Sequence, residues 1–338
     1  MKEIVKPLVK EVGTLASGER ICFAPLSVKT EKHLTFSCDL CAPFEGTLRI
    51  GHGKDITAGS WIEITKDAVA VYSYYAYKEE PLFPHFEAPI PHGLQIKDRL
   101  YVALDADSSV SGGGSLLLST STGLKRLPLG QWDGCNGEIF AEVEGASLSR
   151  CRLCWYSDGL ARPLWVLGDS YISFSPSRWP EYLRQNGYRD LMLSGFPGMG
   201  ALAAAEQFHR LTEMGVPEIA VWALGMNNGD TEDGIHADYL AATEDFLAVC
   251  EEKGITPVLA TVPNTPKVNN RHKNAWVRGG KHRYIDFAHA VGSDENEEWF
   301  EGMLNEDRVH PNELGAKALF GQAICDLPEL MRFKKFDQ

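Results

Sequence analysis

Nowhere in these 338 residues is there an apolar run near the ~20 residues that a membrane-spanning helix needs. The amino terminus, Met1-Lys2-Glu3-Ile4-Val5-Lys6-Pro7, has no apolar core of the kind a signal peptide carries. A cytoplasmic protein is the simplest expectation, although a secreted chain whose leader has been removed would read the same. Basic residues are in deficit: Lys and Arg number 33 against 46 Asp and Glu, a formal net charge of -13. Phosphate-rich partners need clustered Lys and Arg, so nucleic acid and anionic membrane surfaces are disfavoured and a neutral small molecule is the better expectation. HExxH and paired metal carboxylates are missing as well, which points to chemistry without a metal or other cofactor. Oligomeric state is left open.

What is present is material for a folded protein: 44% of residues are hydrophobic and 23% charged, and the length favours two domains. Eight cysteines include two pairs with CxxC spacing, Cys38 with Cys41 and Cys151 with Cys154. Together they have the count of a four-thiolate zinc site. Against this, Leu34, Phe36, Cys38 and Leu40 alternate as in a half-buried strand, where residues three apart face opposite ways. Reduced, buried thiols are expected instead. His52, His85 and His92 sit near turns without metal-ligand spacing.

Residues 1–160 and 161–338 have different periodicities. In the first, short alternating segments (Leu48–Ile50, Trp61–Ile64, Ala68–Tyr72, Leu94–Ile96, Leu100–Leu104, Ser115–Leu118) are separated by turn residues, which predicts an all-β sandwich or jelly-roll-like domain. Ser111-Gly112-Gly113-Gly114-Ser115 reads as a hairpin loop. After Arg162-Pro163 strands alternate with helices, the grammar of an α/β domain with a mainly parallel sheet. Strands are predicted over Leu164–Leu167, Leu191–Leu193, Ile219–Leu224 and Ile255–Val262. Helices are predicted over Ser177–Gly187, with Ser177 as N-cap, and over Ala201–Met214, His236–Lys253 and Glu313–Cys325.

Leu167-Gly168-Asp169-Ser170 ends the first of these strands, and Asp307-Arg308-Val309-His310-Pro311 precedes the last helix. A serine hydroxyl needs an imidazole to accept its proton and a carboxylate to hold that imidazole in one tautomer, and the two segments supply all three. Ser194-Gly195-Phe196-Pro197-Gly198 follows the second strand and Leu224-Gly225-Met226-Asn227-Asn228 the third. Each block lies on the carboxyl side of a predicted sheet, where α/β active sites collect.

These four blocks, in this order, resemble those of the SGNH (GDSL-type) hydrolase superfamily over roughly residues 163–330. The resemblance implies a flavodoxin-like three-layer α/β/α domain, with Ser170 as nucleophile, His310 as general base and Asp307 orienting it. It also implies an oxyanion hole from the backbone N–H groups of Ser170 and Gly195 and the side-chain amide of Asn227. The chain departs from the pattern at Asn228, where the third block commonly ends in Asp, and at Tyr171-Ile172-Ser173 after the nucleophile. Asn228 is expected to alter loop hydrogen bonding and to spare catalysis.

The expected function is a serine esterase acting on small acyl esters, with O-acetyl groups of a carbohydrate or glycoside preferred. This follows from the mixed polar and aromatic character of residues 174–179 and from the preceding β domain, an arrangement similar to that of several carbohydrate esterases. Trp179, Asn228 and Trp276 are candidate substrate contacts, with Trp299 a further rim candidate. The alternatives are a short-chain lipase or thioesterase, and a non-catalytic carbohydrate-binding protein.

Overall fold

The computed structural model describes residues 5–40, 42–55, 58–75, 86–90, 93–94, 99–106, 114–120, 123–128, 137–173, 179–293, 296 and 298–334. Cys41, His85, His92, Cys135, residues 95–96, residues 111–113 and the predicted N-cap Ser177 lie outside them. Contacts divide the chain into two compact units, Val5–Asp158 and Gly159 onward.

The first unit consists of β1 (Leu8–Leu15), β2 (Arg20–Phe23), β3 (Lys32–Asp39), β4 (Thr47–Asp55), β5 (Ala58–Ile64), β6 (Ala68–Tyr75), β7 (Phe86–Pro89), β8 (Arg99–Ala106), β9 (Gly114–Thr120), β10 (Gly123–Pro128), β11 (Glu138–Glu144) and β12 (Leu148–Ser157). They form two six-stranded antiparallel sheets, β1-β12-β3-β8-β9-β10 and β2-β11-β4-β5-β6-β7. Side-chain alternation decides which face is buried. Along β12, Cys151, Leu153, Trp155 and Ser157 are buried while Arg152, Cys154 and Tyr156 are not. Cys151 and Cys154 therefore point to opposite faces. Among the described residues no three His, Cys, Asp or Glu side chains converge as metal ligands would.

The second unit follows a strand-helix alternation: β13 (Leu164–Gly168), α1 (Ser170–Ser173), α2 (Trp179–Gln185), β14 (Leu191–Gly195), α3 (Ala201–Thr212), β15 (Ile219–Ala223), α4 (Ala237–Lys253), β16 (Thr256–Ala260), α5 (Arg271–Gly279), β17 (Arg283–Ile285), α6 (Phe287–Val291) and α7 (Glu313–Asp326). The five strands are parallel in the order β14-β13-β15-β16-β17, the 2-1-3-4-5 order of flavodoxin-type sheets. Every residue of β13 and β14 is buried, which is why both read as continuous apolar runs rather than alternating ones.

The faces of this sheet carry different partners. On one, Trp165 of β13 meets Phe208 of α3 edge-on, and Trp222 of β15 stacks on Phe246 of α4. On the other, Leu164, Val166, Ile219 and Val221 share a core with Leu183 of α2, Phe287 of α6 and Leu319 of α7. Strand order reverses at β13, whose neighbours are β14 and β15, and such switch points open a crevice at the carboxyl ends of the strands.

The predicted helices over Ala201–Met214, His236–Lys253 and Glu313–Cys325 match α3, α4 and α7 to within two residues. Helix α4 is capped by the His236 side chain, which accepts from Asp238 N–H, and it stops at Gly254 in the left-handed region. Helix α7 begins at Asn312, whose carboxamide oxygen accepts from Leu314 and Gly315 N–H. Helix α5 and strand β17 had no sequence signal.

Candidate active site

Three strand ends converge at the switch point. Ser170 opens α1 directly after β13, Gly195 ends β14, and Asn227 lies in the short 3-10 turn after β15. Gly168 and Gly195 are register partners across β13 and β14. A Cβ at Gly195, whose φ is +149°, would collide with the Gly168 carbonyl oxygen, so only glycine lets the two chain ends approach this closely.

Ser170 Oγ lies 2.8 Å from His310 Nε2, and His310 Nδ1 lies 2.6 Å from Asp307 Oδ2. With Nδ1–H donating to the carboxylate, Nε2 is left as the acceptor of the serine proton. Ser170 is buried, whereas the side chains of His310 and Asp307 are 21% and 43% exposed. Asp307 Oδ1 also accepts from the backbone N–H of Val309 and His310, each at 2.9 Å. That turn needs Arg308 in the left-handed region, at φ 59°. Partial burial pushes the Asp307 carboxyl up, but the two backbone donors and the imidazole more than reverse this and hold it below its ordinary range.

Two contacts brace the base from outside the motif. Tyr171 O–H donates to the Val309 carbonyl at 2.7 Å, and Lys267 Nζ donates to the Asp307 carbonyl at 3.0 Å. Tyr171 is buried, edge-on to Trp299 and 6.1 Å from the His310 ring. Neither contact had a sequence signal beyond the adjacency of Tyr171 to Ser170.

On the opposite side, Asn227 Nδ2 donates to the Met199 carbonyl at 3.0 Å and to Asp169 Oδ2 at 3.3 Å. Both amide hydrogens thus have acceptors within the protein, and a substrate oxygen would have to share one of them. Asp169 is buried and its other oxygen accepts from Tyr171 N–H at 3.0 Å. Burial raises the Asp169 carboxyl to about 6, against the pull of the Tyr171 N–H and the nearby His310 and Lys273 charges.

The candidate substrate contacts fare differently. Trp179 is 2% exposed and packs on Phe287 at 5.1 Å, so it is a core residue and not a rim aromatic, because α2 lays that face against α6. Trp299 is likewise buried against Tyr171. Asn228 Oδ1 accepts from Ala201 N–H at 2.8 Å, so its carboxamide caps α3 rather than standing free for substrate. Trp276 is half-exposed on α5.

A parallel α/β unit presenting serine, imidazole and carboxylate in hydrogen-bonded series has the construction of a serine hydrolase. Solved structures similar to this chain include a GDSL-like lipase and a carbohydrate esterase. TesA is 20% identical with a TM-score of 0.40, the match covering 49% of this chain and 98% of that one. A carbohydrate esterase family 3 protein from Talaromyces cellulolyticus is 17% identical with a TM-score of 0.41, covering 51% of this chain and 99% of that one. A GDSL-like lipase from Bacteroides thetaiotaomicron is 14% identical with a TM-score of 0.39, covering 49% and 87%. No family model and no curated protein sequence matches the chain.

Proposed function

We propose that the chain is a serine esterase that hydrolyses small acyl esters, O-acetyl groups of a carbohydrate or glycoside foremost, through an acyl-enzyme. The observation that carries this is the continuous series Ser170 Oγ, His310 Nε2, His310 Nδ1 and Asp307 Oδ2, with its two links of 2.8 and 2.6 Å. Ser170 Oγ attacks the ester carbonyl carbon while His310 Nε2 takes the hydroxyl proton. Negative charge then gathers on the former carbonyl oxygen, facing the Ser170 and Gly195 N–H groups and the Asn227 amide. A donor aimed at that oxygen is worth ~3 kcal/mol of barrier. Collapse breaks the bond to the alcohol, which leaves with the proton from His310. Water, deprotonated by the same imidazole, attacks the acyl-serine, releases the acid and returns the proton to Ser170.

The acetyl-sugar reading is supported by the polar side chains around the dyad: Asn227, Lys267, Asp307 and Arg308 are all exposed, a setting that suits a hydroxyl-rich alcohol better than a lipid chain. We read the two six-stranded sheets of the first unit as a sandwich accompanying the hydrolase. One observation favours a longer acyl group: Phe300, next to the Trp299 that meets Tyr171, is 47% exposed. A series of p-nitrophenyl esters decides between them. A sharp preference for acetyl is expected, and an optimum at about six carbons or longer would exclude deacetylation in favour of a lipase-like or thioesterase-like activity. With acetyl ester, Ser170→Ala and His310→Ala are expected to lose about 10⁴-fold or more in kcat, and Asp307→Asn less.

A further inference from the structure

Helix α5 buries an unusual face. Asn270, Lys273 and Asn274, one helical turn together, are fully buried, and none of them is apolar. Asn274 exchanges two hydrogen bonds with the backbone of Val262, and Asn270 Nδ2 donates to the Pro263 carbonyl. These tie α5 to the loop after β16. Lys273 reaches elsewhere. Its ammonium donates to the Gly225 carbonyl at 2.8 Å, the Asn228 carbonyl at 2.7 Å and Asn270 Oδ1 at 2.7 Å, which uses all three hydrogens. Gly225 and Asn228 are the two ends of the turn that carries Asn227.

We propose that Lys273 is a positioning residue for the oxyanion side of this site: by gripping the turn at both ends it fixes where the Asn227 carboxamide lies. The inference rests on the reading of Asn227 as an oxyanion donor. Fit around the turn is close. A Cβ at Gly225, whose φ is +127°, would lie 3.0 Å from the Tyr239 ring and 3.1 Å from both the Lys273 stem and Val262. The ammonium sits over the Tyr239 ring at 4.7 Å and 4.0 Å from Asp230 Oδ1, while Asp230 Oδ2 accepts from His272 and Lys273 N–H at the start of α5. The same carboxylate therefore anchors the helix and faces the charge that the helix delivers.

Stability alone is a poor reason for this arrangement. Taking an ammonium out of water costs several kcal/mol, and buried ion pairs are commonly replaced by apolar residues without loss. Burial lowers the Lys273 ammonium to about 8, although Asp230 and Asp169 pull it up. A neutral amine has two hydrogens for three acceptors, so the grip on the turn loosens as the proton leaves.

A double-mutant cycle of Lys273→Met and Asn227→Ala, read in kcat and KM for p-nitrophenyl acetate, tests this. Lys273→Met is expected to lower kcat about 10- to 100-fold with KM within about threefold, Asn227→Ala to lower it about 100-fold, and the double variant to match Asn227→Ala within about threefold. A kcat for Lys273→Met within about threefold of wild type, or losses that multiply in the double variant, overturns the proposal. Should Lys273→Met not fold, the pair Lys273→Met/Asp230→Asn, which removes both buried charges together, replaces it in both backgrounds. The wild type adds a readout free of folding: kcat falls as pH rises through about 8 and Asn227→Ala lacks that fall. A fall through the same pH range that persists undiminished in Asn227→Ala overturns the proposal. A loss below about threefold in Asn227→Ala alone defeats the oxyanion reading and this inference with it, whereas undiminished hydrolysis by Ser170→Ala defeats the esterase reading itself.

Discussion

Tyr171 follows the candidate nucleophile in sequence and braces the candidate base in space, since its hydroxyl holds the carbonyl of Val309, the residue before His310. One bond thus couples the two halves of the proton-transfer pair. Tyr171→Phe removes only that oxygen and leaves the Val309 carbonyl short of a donor. The variant is expected to lose about tenfold in kcat, and about 1 kcal/mol of stability by denaturant melt. Unchanged kcat would show that the base loop holds itself. The residues that such a site needs were legible because their chemistry is local: Asp307 and His310 sit three apart, and one turn brings them together. Tyr171 was visible only as a departure from the usual pattern, and its partner, a backbone carbonyl 138 residues away, leaves no trace in sequence.

At the level of elements, Asn228 shows how one side chain serves two segments. It ends the turn that carries Asn227 and caps the first N–H of α3. A carboxylate at the same place accepts the same bond and is favoured by the helix dipole, so Asn228→Asp is expected to keep kcat within about threefold and to hold or slightly raise the melting temperature, while Asn228→Ala costs about 1 kcal/mol. A kcat loss beyond about tenfold in Asn228→Asp would place this residue against substrate after all. Helices α3, α4 and α7 were legible from apolar spacing and end signals. Helix α5 was not, because its buried face is Asn270, Lys273 and Asn274 with Val277 as its one apolar member, too few apolar positions for hydrophobic periodicity to register. Trp179 failed for the opposite reason: a tryptophan near the nucleophile reads the same in sequence whether it faces substrate or, as here, Phe287.

Over the whole molecule two buried groups, one in each unit, answer to acid in opposite senses. His52, buried in the first unit, is held well below its ordinary value by burial and by the Lys32 charge. As pH falls below about 6.5 the unfolded chain binds a proton that the folded one refuses, so stability drops, by at most about 1.4 kcal/mol per pH unit. Asp169 in the second unit, raised to about 6, works the other way: acidification through 6 gives the folded state the extra proton and relieves a cost present above it. Melts of wild type and His52→Gln between about pH 7 and 5 isolate the first effect, because Asp169 is common to both. The wild type is expected to lose several degrees more than the variant, and parallel slopes would show that His52 takes up its proton in the fold as readily as in the unfolded chain. The alternation of strands with helices after residue 162 was enough to read a parallel sheet, and the register that sets Gly168 beside Gly195 was not, since it depends on which strands become neighbours.

Every kinetic expectation above depends on Ser170 being a nucleophile poised by His310, and covalent capture reads that property without a substrate. Incubation with a fluorophosphonate, followed by intact-mass and peptide-mass measurement, is expected to give one adduct, on Ser170, that disappears in Ser170→Ala and forms more slowly by orders of magnitude in His310→Ala. An unlabelled wild-type chain, or an adduct on any other residue, would contradict it.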